Sequence, residues 1–166
     1  MHWLEKTDKI IAKIETWLLI VIVLVMVLFS FTQVLLRLLL DEGIMWADIF
    51  LRHLVLWVGF IGASLATRDN KHINIDLLNR YLKGKGDHVA AILINAFALF
   101  ISFLLAKAGW RFVTDEQEFG TMLFGNVPAW YFQLIIPIGF GLMSFRFFIH
   151  VLQGAFNLFH AEETTT

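Results

Sequence analysis

From Thr16 to Leu36 the chain reads TWLLIVIVLVMVLFSFTQVLL, an apolar run without a charged residue. Its length decides the fold class. A bilayer-spanning α-helix needs about 20 predominantly apolar residues, whereas runs of about 10–14 belong to buried core helices. Val89 to Ala106 and Val127 to Phe145 are two further uncharged blocks. A fourth lies between Met45 and Thr67, where Asp48, Arg52 and His53 interrupt the start. It reads as a span whose charged residues stand near one membrane face. The expected architecture is an all-α integral membrane protein, a single four-helix domain over residues 1–160. The spans fall at approximately 14–40, 45–68, 88–113 and 127–152, and a disordered polar tail follows at 161–166.

The composition agrees. Of 166 residues, 58% are hydrophobic and only 16% charged, and the mean hydropathy is +0.72. A soluble domain usually carries about a quarter charged residues to wet its surface. Lys6, Lys9 and Lys13 before an apolar run resemble a signal peptide, but the run exceeds an h-region of about 7–15 residues and no A-x-A-like site follows. The segment therefore reads as a retained first helix. There is no cysteine, which removes disulfides and thiolate metal sites. A net charge of −1 argues against nucleic acid as a partner.

Orientation follows from the basic residues. Lys6, Lys9 and Lys13 precede helix 1; Arg68, Lys71, Arg80, Lys83 and Lys85 lie between helices 2 and 3; Arg146 is counted after helix 4. Arg37, Arg52, Lys107 and Arg111 fall on the other side, with Asp41, Glu42, Asp115, Glu116 and Glu118. Both termini are thus expected in the cytoplasm. Ile73, Leu77, Leu78, Tyr81 and Leu82 fall at helical spacing, which predicts a short amphipathic cytoplasmic helix between helices 2 and 3. Pro128 stands where helix 4 begins, and Pro137 is expected to kink it.

Transport chemistry needs polar groups at membrane depth. The middles of helices 1, 3 and 4 offer only Ser30, Thr32, Gln33, Asn95, Ser102 and Gln133, which read as interhelical hydrogen bonds. No catalytic or metal-ligating set emerges. A haem would require paired histidines, but His53 and His150 stand at depths differing by about 20 Å at 1.5 Å per residue. The start of helix 2 is richer: Trp46, Asp48, Arg52 and Trp57, with Asp48 and Arg52 spaced to pair along one face and Arg37 near enough to join. This polar patch is a candidate partner interface. Gly59, Gly62, Ala63 and Ala66 include small pairs four residues apart, which permit close helix packing. Trp17, Trp46, Trp110 and Trp130 stand near span ends, as an aromatic belt does.

The stretch Met45-Trp46-Ala47-Asp48, then Arg52, then Trp57 to Ala63, resembles the small membrane subunit of TRAP transporters, the DctQ-like small permease family. So do Arg68 with His72-Ile73-Asn74-Ile75-Asp76, and Pro128-Ala129-Trp130, Ile136-Pro137-Ile138-Gly139 and Arg146. The resemblance covers about residues 10 to 153. One departure is Ile49 after Asp48, where the family often has a second acid. The resemblance implies a tripartite secondary importer of an organic acid, such as a dicarboxylate or sialic acid, usually driven by sodium symport. It implies two partners, a large membrane subunit that holds the coupling ions and a periplasmic substrate-binding protein. The small subunit, in a bacterial or archaeal inner membrane, would brace the large one, need no cofactor of its own and be no enzyme. Arg68, His72 and Asp76 would fix the cytoplasmic turn; Gly59, Gly62, Ala63 and Pro137 would shape packing. The rival readings are a membrane anchor for a redox or signalling complex and a small homo-oligomeric exporter.

Overall fold

The computed structural model describes the backbone of residues 2–81 and 85–163 and the side chains of residues 6–68 and 90–156. Its helices are α1 (His2–Leu40), α2 (Ala47–Tyr81), α3 (Lys85–Phe119), a short α4 (Trp130–Gln133) and α5 (Ile135–Glu163). Four segments are long and apolar enough to cross a membrane: Lys6–Leu40, Ala47–Arg68, Ala90–Phe119 and, through the α4–α5 junction, Trp130–Phe156. At 1.5 Å per residue α1 is about 58 Å long, so it tilts or projects beyond a hydrocarbon core of about 30 Å. The stretch expected to form a separate amphipathic helix is helical and continues α2 to Tyr81 without a break. The side chains of His72 and Asp76 lie outside the described residues.

α5 lies between α2 and α3, and α1 packs on α2. Ile22, Ile61 and Ile135 form the core, with Leu19, Leu54, Trp57 and Phe60 packed around them. Large apolar side chains also point outward: Val27 and Phe31 on α1 are each 62% exposed, and Phe97 on α3 is 68% exposed. A water-soluble helix would show polar residues there; these faces meet lipid or another protein. One placement differs from the sequence reading. Arg146 is not beyond the fourth span but inside α5, and it is 2% exposed. Removing it from the orientation count leaves eight basic residues against four, so the expected sidedness is unchanged.

Local chemistry sets the ends of the elements. α3 stops at Gly120, whose φ of +65° suits a residue without Cβ and whose N–H bonds to Glu116 O at 3.1 Å. A small hairpin follows, paired between Met122 and Pro128. At its tip Gly125 and Asn126 both have positive φ, as a two-residue primed turn requires. Pro128 therefore sits in the hairpin, two residues ahead of α4. The hydrogen-bond ladder of the fourth span lapses at Leu134, whose own backbone stays right-handed helical at φ −54° and ψ −25°. Pro137 has no N–H for the carbonyl of Gln133, four residues back, and its ring crowds that carbonyl. The indole N–H of Trp57 in α2 donates to the neighbouring Phe132 carbonyl at 2.9 Å, so a side chain satisfies backbone at the break.

Close approaches within the chain fall at glycines the spacing argument did not select. A Cβ on Gly139 would lie 2.7 Å from Phe60 Cδ1 and 3.0 Å from its Cβ. A Cβ on Gly109 would lie 3.3 Å from the backbone nitrogen of Pro137, so α3 passes directly against the break. Gly59 has nothing within 4 Å, and Gly62 meets only Leu19 Cδ1 at 4.0 Å. Ala63 is exposed. The expected outcome is that Gly139→Ala destabilises the purified chain by about 1–3 kcal/mol through overpacking, while Gly59→Ala is neutral or slightly stabilising. Thermal unfolding in detergent, followed by circular dichroism, checks both.

Candidate functional site

Helical spacing brings five polar side chains from three helices to one point. Asp8 and Glu15 are seven residues apart, two turns along one face of α1. Ser64 and Arg68 are four apart on α2, and Arg146 reaches in from α5. The Arg146 guanidinium donates from Nε to Asp8 Oδ1 at 3.0 Å, from Nη1 to Ser64 Oγ at 2.8 Å and to the Ser64 carbonyl, and from Nη2 to Glu15 Oε2. The Ser64 hydroxyl in turn donates to Glu15 Oε1 at 2.7 Å. Arg68 Nε donates to the second Asp8 oxygen at 3.0 Å.

Two guanidinium groups and two carboxylates make the cluster neutral. Arg146 and the Glu15 side chain are almost wholly enclosed, at 2% and 7% exposure, with Asp8 and Arg68 more open. Burying an isolated charge costs several kcal/mol, and only opposite charge with good hydrogen bonding offsets it. Arginine suits the position because its planar fork keeps its charge and spreads five donors in fixed directions. The arrangement is an interhelical clamp. Its acceptors are occupied by the protein's own donors, and among the described residues no group of three His, Cys, Asp or Glu is placed to hold a metal ion.

The other end of the bundle holds the residues singled out as a partner patch. Asp48 pairs across the α1–α2 turn with Arg37 at 3.4 Å, both side chains being more than half exposed. Arg52 stands exposed on α2, outside that pair. Gln33, 6% exposed, clamps the turn: its Nε2 donates to Ile44 O, and its Oε1 accepts from Ile44 N–H, both at 3.1 Å. Thr32 and Asn95, expected to bond between helices, bond to carbonyls four residues back in their own helices. Trp46 belongs to a ring cluster: its indole stacks on Phe124 of the hairpin at 5.2 Å and lies 5.4 Å from Phe29 and 6.1 Å from Phe50. Phe50 also meets Phe124 and Phe132 edge-on, and His53 lies against Phe132. Of the candidate residues, Arg37, Trp46, Asp48 and Trp57 thus join α1, α2, the hairpin and α4. Arg68 belongs to the opposite end.

Asp8, Glu15 and Ser64 were absent from the sequence candidates, and Arg146 entered through its charge and the family resemblance, not as a buried partner of α1. A signal existed: two acids one heptad apart, the second directly before an uncharged run, on the face of α1 opposite Lys6, Lys9 and Lys13. The expected consequence is strong and non-additive. Arg146→Gln should cost about 3–5 kcal/mol by leaving Glu15 buried without its cation. Adding Glu15→Gln should recover part of that loss. A double-mutant cycle on unfolding in detergent measures it, and strictly additive effects would dismiss the clamp.

Residues 26–157 match the family model described as the DctQ component of tripartite ATP-independent periplasmic transporters. The C4-dicarboxylate TRAP transporter small permease protein DctQ of Vibrio cholerae is 24% identical, over 87% of this chain and 72% of that protein. The ectoine TRAP transporter small permease protein TeaB of Halomonas elongata is 24% identical, over 88% of this chain and 76% of its own. The sialic acid TRAP transporter permease protein SiaT of Haemophilus influenzae is 27% identical over 84% of this chain, which spans 22% of SiaT. The matched segment holds most of the bundle and the whole outer ring cluster, while Asp8 and Glu15 precede it. With four membrane-spanning segments and a match over most of its length, the chain belongs to the DctQ component family of tripartite ATP-independent periplasmic transporters.

Proposed function

We propose that this small permease subunit is the supporting half of a sodium-coupled importer of an organic acid. It packs on a large transport subunit, which holds substrate and coupling ion, and its outer end helps seat a periplasmic binding protein. As a family member it is a multi-pass bacterial inner-membrane protein and a transporter subunit, not an enzyme. The reading rests on how the chain uses its buried charge. Glu15 and Arg146 are the buried ionised side chains among the described residues, and they are spent on each other, with Asp8 and Arg68 beside them. A transported ion needs ligands that can release it; this clamp has no open position.

The faces left open support the bracing role. Gly59, Ala63 and Ala66 lie on an exposed side of α2 where a helix of another subunit can approach closely. Arg52 is exposed on the same helix, two turns from Gly59, and offers a charge to that neighbour. The relatives' names point to C4-dicarboxylates, ectoine and sialic acid as cargo of those systems, which makes a small anionic or zwitterionic organic solute the class to try first.

Reconstitution in liposomes tests the proposal. The chain alone should give no uptake above empty vesicles, and the three-part system should give uptake that requires an inward sodium gradient. Uptake by the chain alone would overturn the supporting role. Within the assembled system, Asp48→Arg should reduce uptake severalfold by facing Arg37 with a like charge, and Arg37→Asp combined with Asp48→Arg should restore it. Unchanged uptake and assembly in the single variant would remove this pair from the functional surface.

A further inference from the structure

The charges of α1 are sorted by face. Asp8 and Glu15 turn inward to the clamp, whereas Lys6, Lys9 and Lys13 are all exposed. At 3.6 residues per turn the three lysines fall within an arc of about 60°, centred about 140° around the axis from the two acids. No ion pair or hydrogen bond engages these lysines among the described residues. Because Asp8 and Glu15 are paired with Arg146 and Arg68, the three lysines are the charges that this face presents among the described residues.

Beside this face, and sharing Lys13 with it, runs an apolar groove centred about 80° farther around the helix. It is lined by Ile10, Lys13, Ile14, Trp17, Leu18 and Val21, with a volume of about 490 Å³. Ile10 to Val21 rises about 16 Å along the helix, which accommodates much of an acyl chain. Trp17, 62% exposed, stands one turn beyond Lys13, between the cationic end and the aliphatic end. Indole rings settle at that boundary between headgroup and hydrocarbon. A second groove farther along α1, lined by Leu19, Ile20, Val23, Leu24, Val27 and Leu28, has no cation beside it. Of these two grooves on α1, the first joins a polar end and an apolar end as one amphiphile does.

We infer that this face of α1 is a binding site for an anionic phospholipid. The phosphate meets Lys13 with Lys9 and Lys6, and one acyl chain lies along Ile14, Leu18 and Val21. The basic-residue count puts the site in the cytoplasmic leaflet, where anionic headgroups attract juxtamembrane lysines. Such a lipid would cover the free face of α1 while the clamp holds the opposite face to the bundle.

Native mass spectrometry of the delipidated full-length chain, titrated with palmitoyl-oleoyl phosphatidylglycerol or the matching phosphatidylcholine, tests the site. The anionic lipid should bind with at least tenfold preference. Each lysine contributes about fivefold, so Lys6→Gln, Lys9→Gln and Lys13→Gln together should weaken it about a hundredfold, with the melting temperature kept. Lys13→Arg should retain binding, as should Lys107→Gln with Arg111→Gln at the far end of α3. Equal affinity for the two lipids, or wild-type affinity in the triple variant, overturns the proposal. In the complex with the large subunit, a photo-crosslinker at Ile14 should capture phospholipid; capture of the large subunit instead would show that a protein helix fills the groove.

Discussion

A guanidinium group cannot leave water for the inside of a helix bundle unless fixed acceptors replace its hydration, and Arg146 obtains those acceptors from two other helices. This requirement sets much of the architecture. α1 has no broad packing surface with α3 or α5 and leans on α2; the salt bridges from Arg146 to Asp8 and Glu15 tie it to the centre of the bundle as well. Apolar contacts in a membrane hold helices together weakly, since lipid tails are as apolar as leucine. A directional, charge-assisted cluster can therefore decide register and rotation where greasy faces do not. A one-residue slip of α1 would rotate Glu15 by 100° and leave Arg146 without its partner.

The opposite end is organised by a backbone defect rather than by charge. Pro137 interrupts the fourth span, and the interruption exposes carbonyls that must find donors. Trp57 supplies one through its indole N–H, while Gly109 lets α3 approach the broken segment at backbone distance. The rings of Trp46, Phe50, Phe124 and Phe132 then bring the α1–α2 turn and the hairpin onto the same patch. Gln33 fixes the turn from below by matching both the donor and the acceptor of Ile44. The loops at this end are held in one shape by specific hydrogen bonds and stacking.

The spans were legible because hydropathy and length are properties of a segment by itself: Thr16 to Leu36 identifies a membrane helix whatever surrounds it. The break at Pro137 was legible for the same reason, since proline acts on its own helix. Properties of helix pairs were not. Gly139 and Gly59 look alike in sequence, yet only Gly139 meets another helix, at Phe60. Asp48 has a basic residue four positions on and another eleven back; the turn clamped by Gln33 delivers the second. Arg146 was counted by the side of the membrane it follows, whereas its role depends on the face of α5 it occupies. Asking which acids share a helical face would have separated Asp8 and Glu15 from the lysines between them.

That separation bears on what such a subunit can be. A helix with acids on one face and lysines on the other has two different neighbours to satisfy, a buried cation and an anionic surface. The inner face is closed by protein, so its charges are unavailable for binding a travelling ion. The outer face is open, and its charges can act only on what lies beside the bundle. The same division holds at the far end, where Trp57 and the rings face inward and Arg52 faces out. A bundle whose buried charges are spent on one another and whose exposed lysines and Arg52 face outward has its free charge at its periphery. In the supporting role proposed above, its contribution to transport passes through what lies beside the bundle.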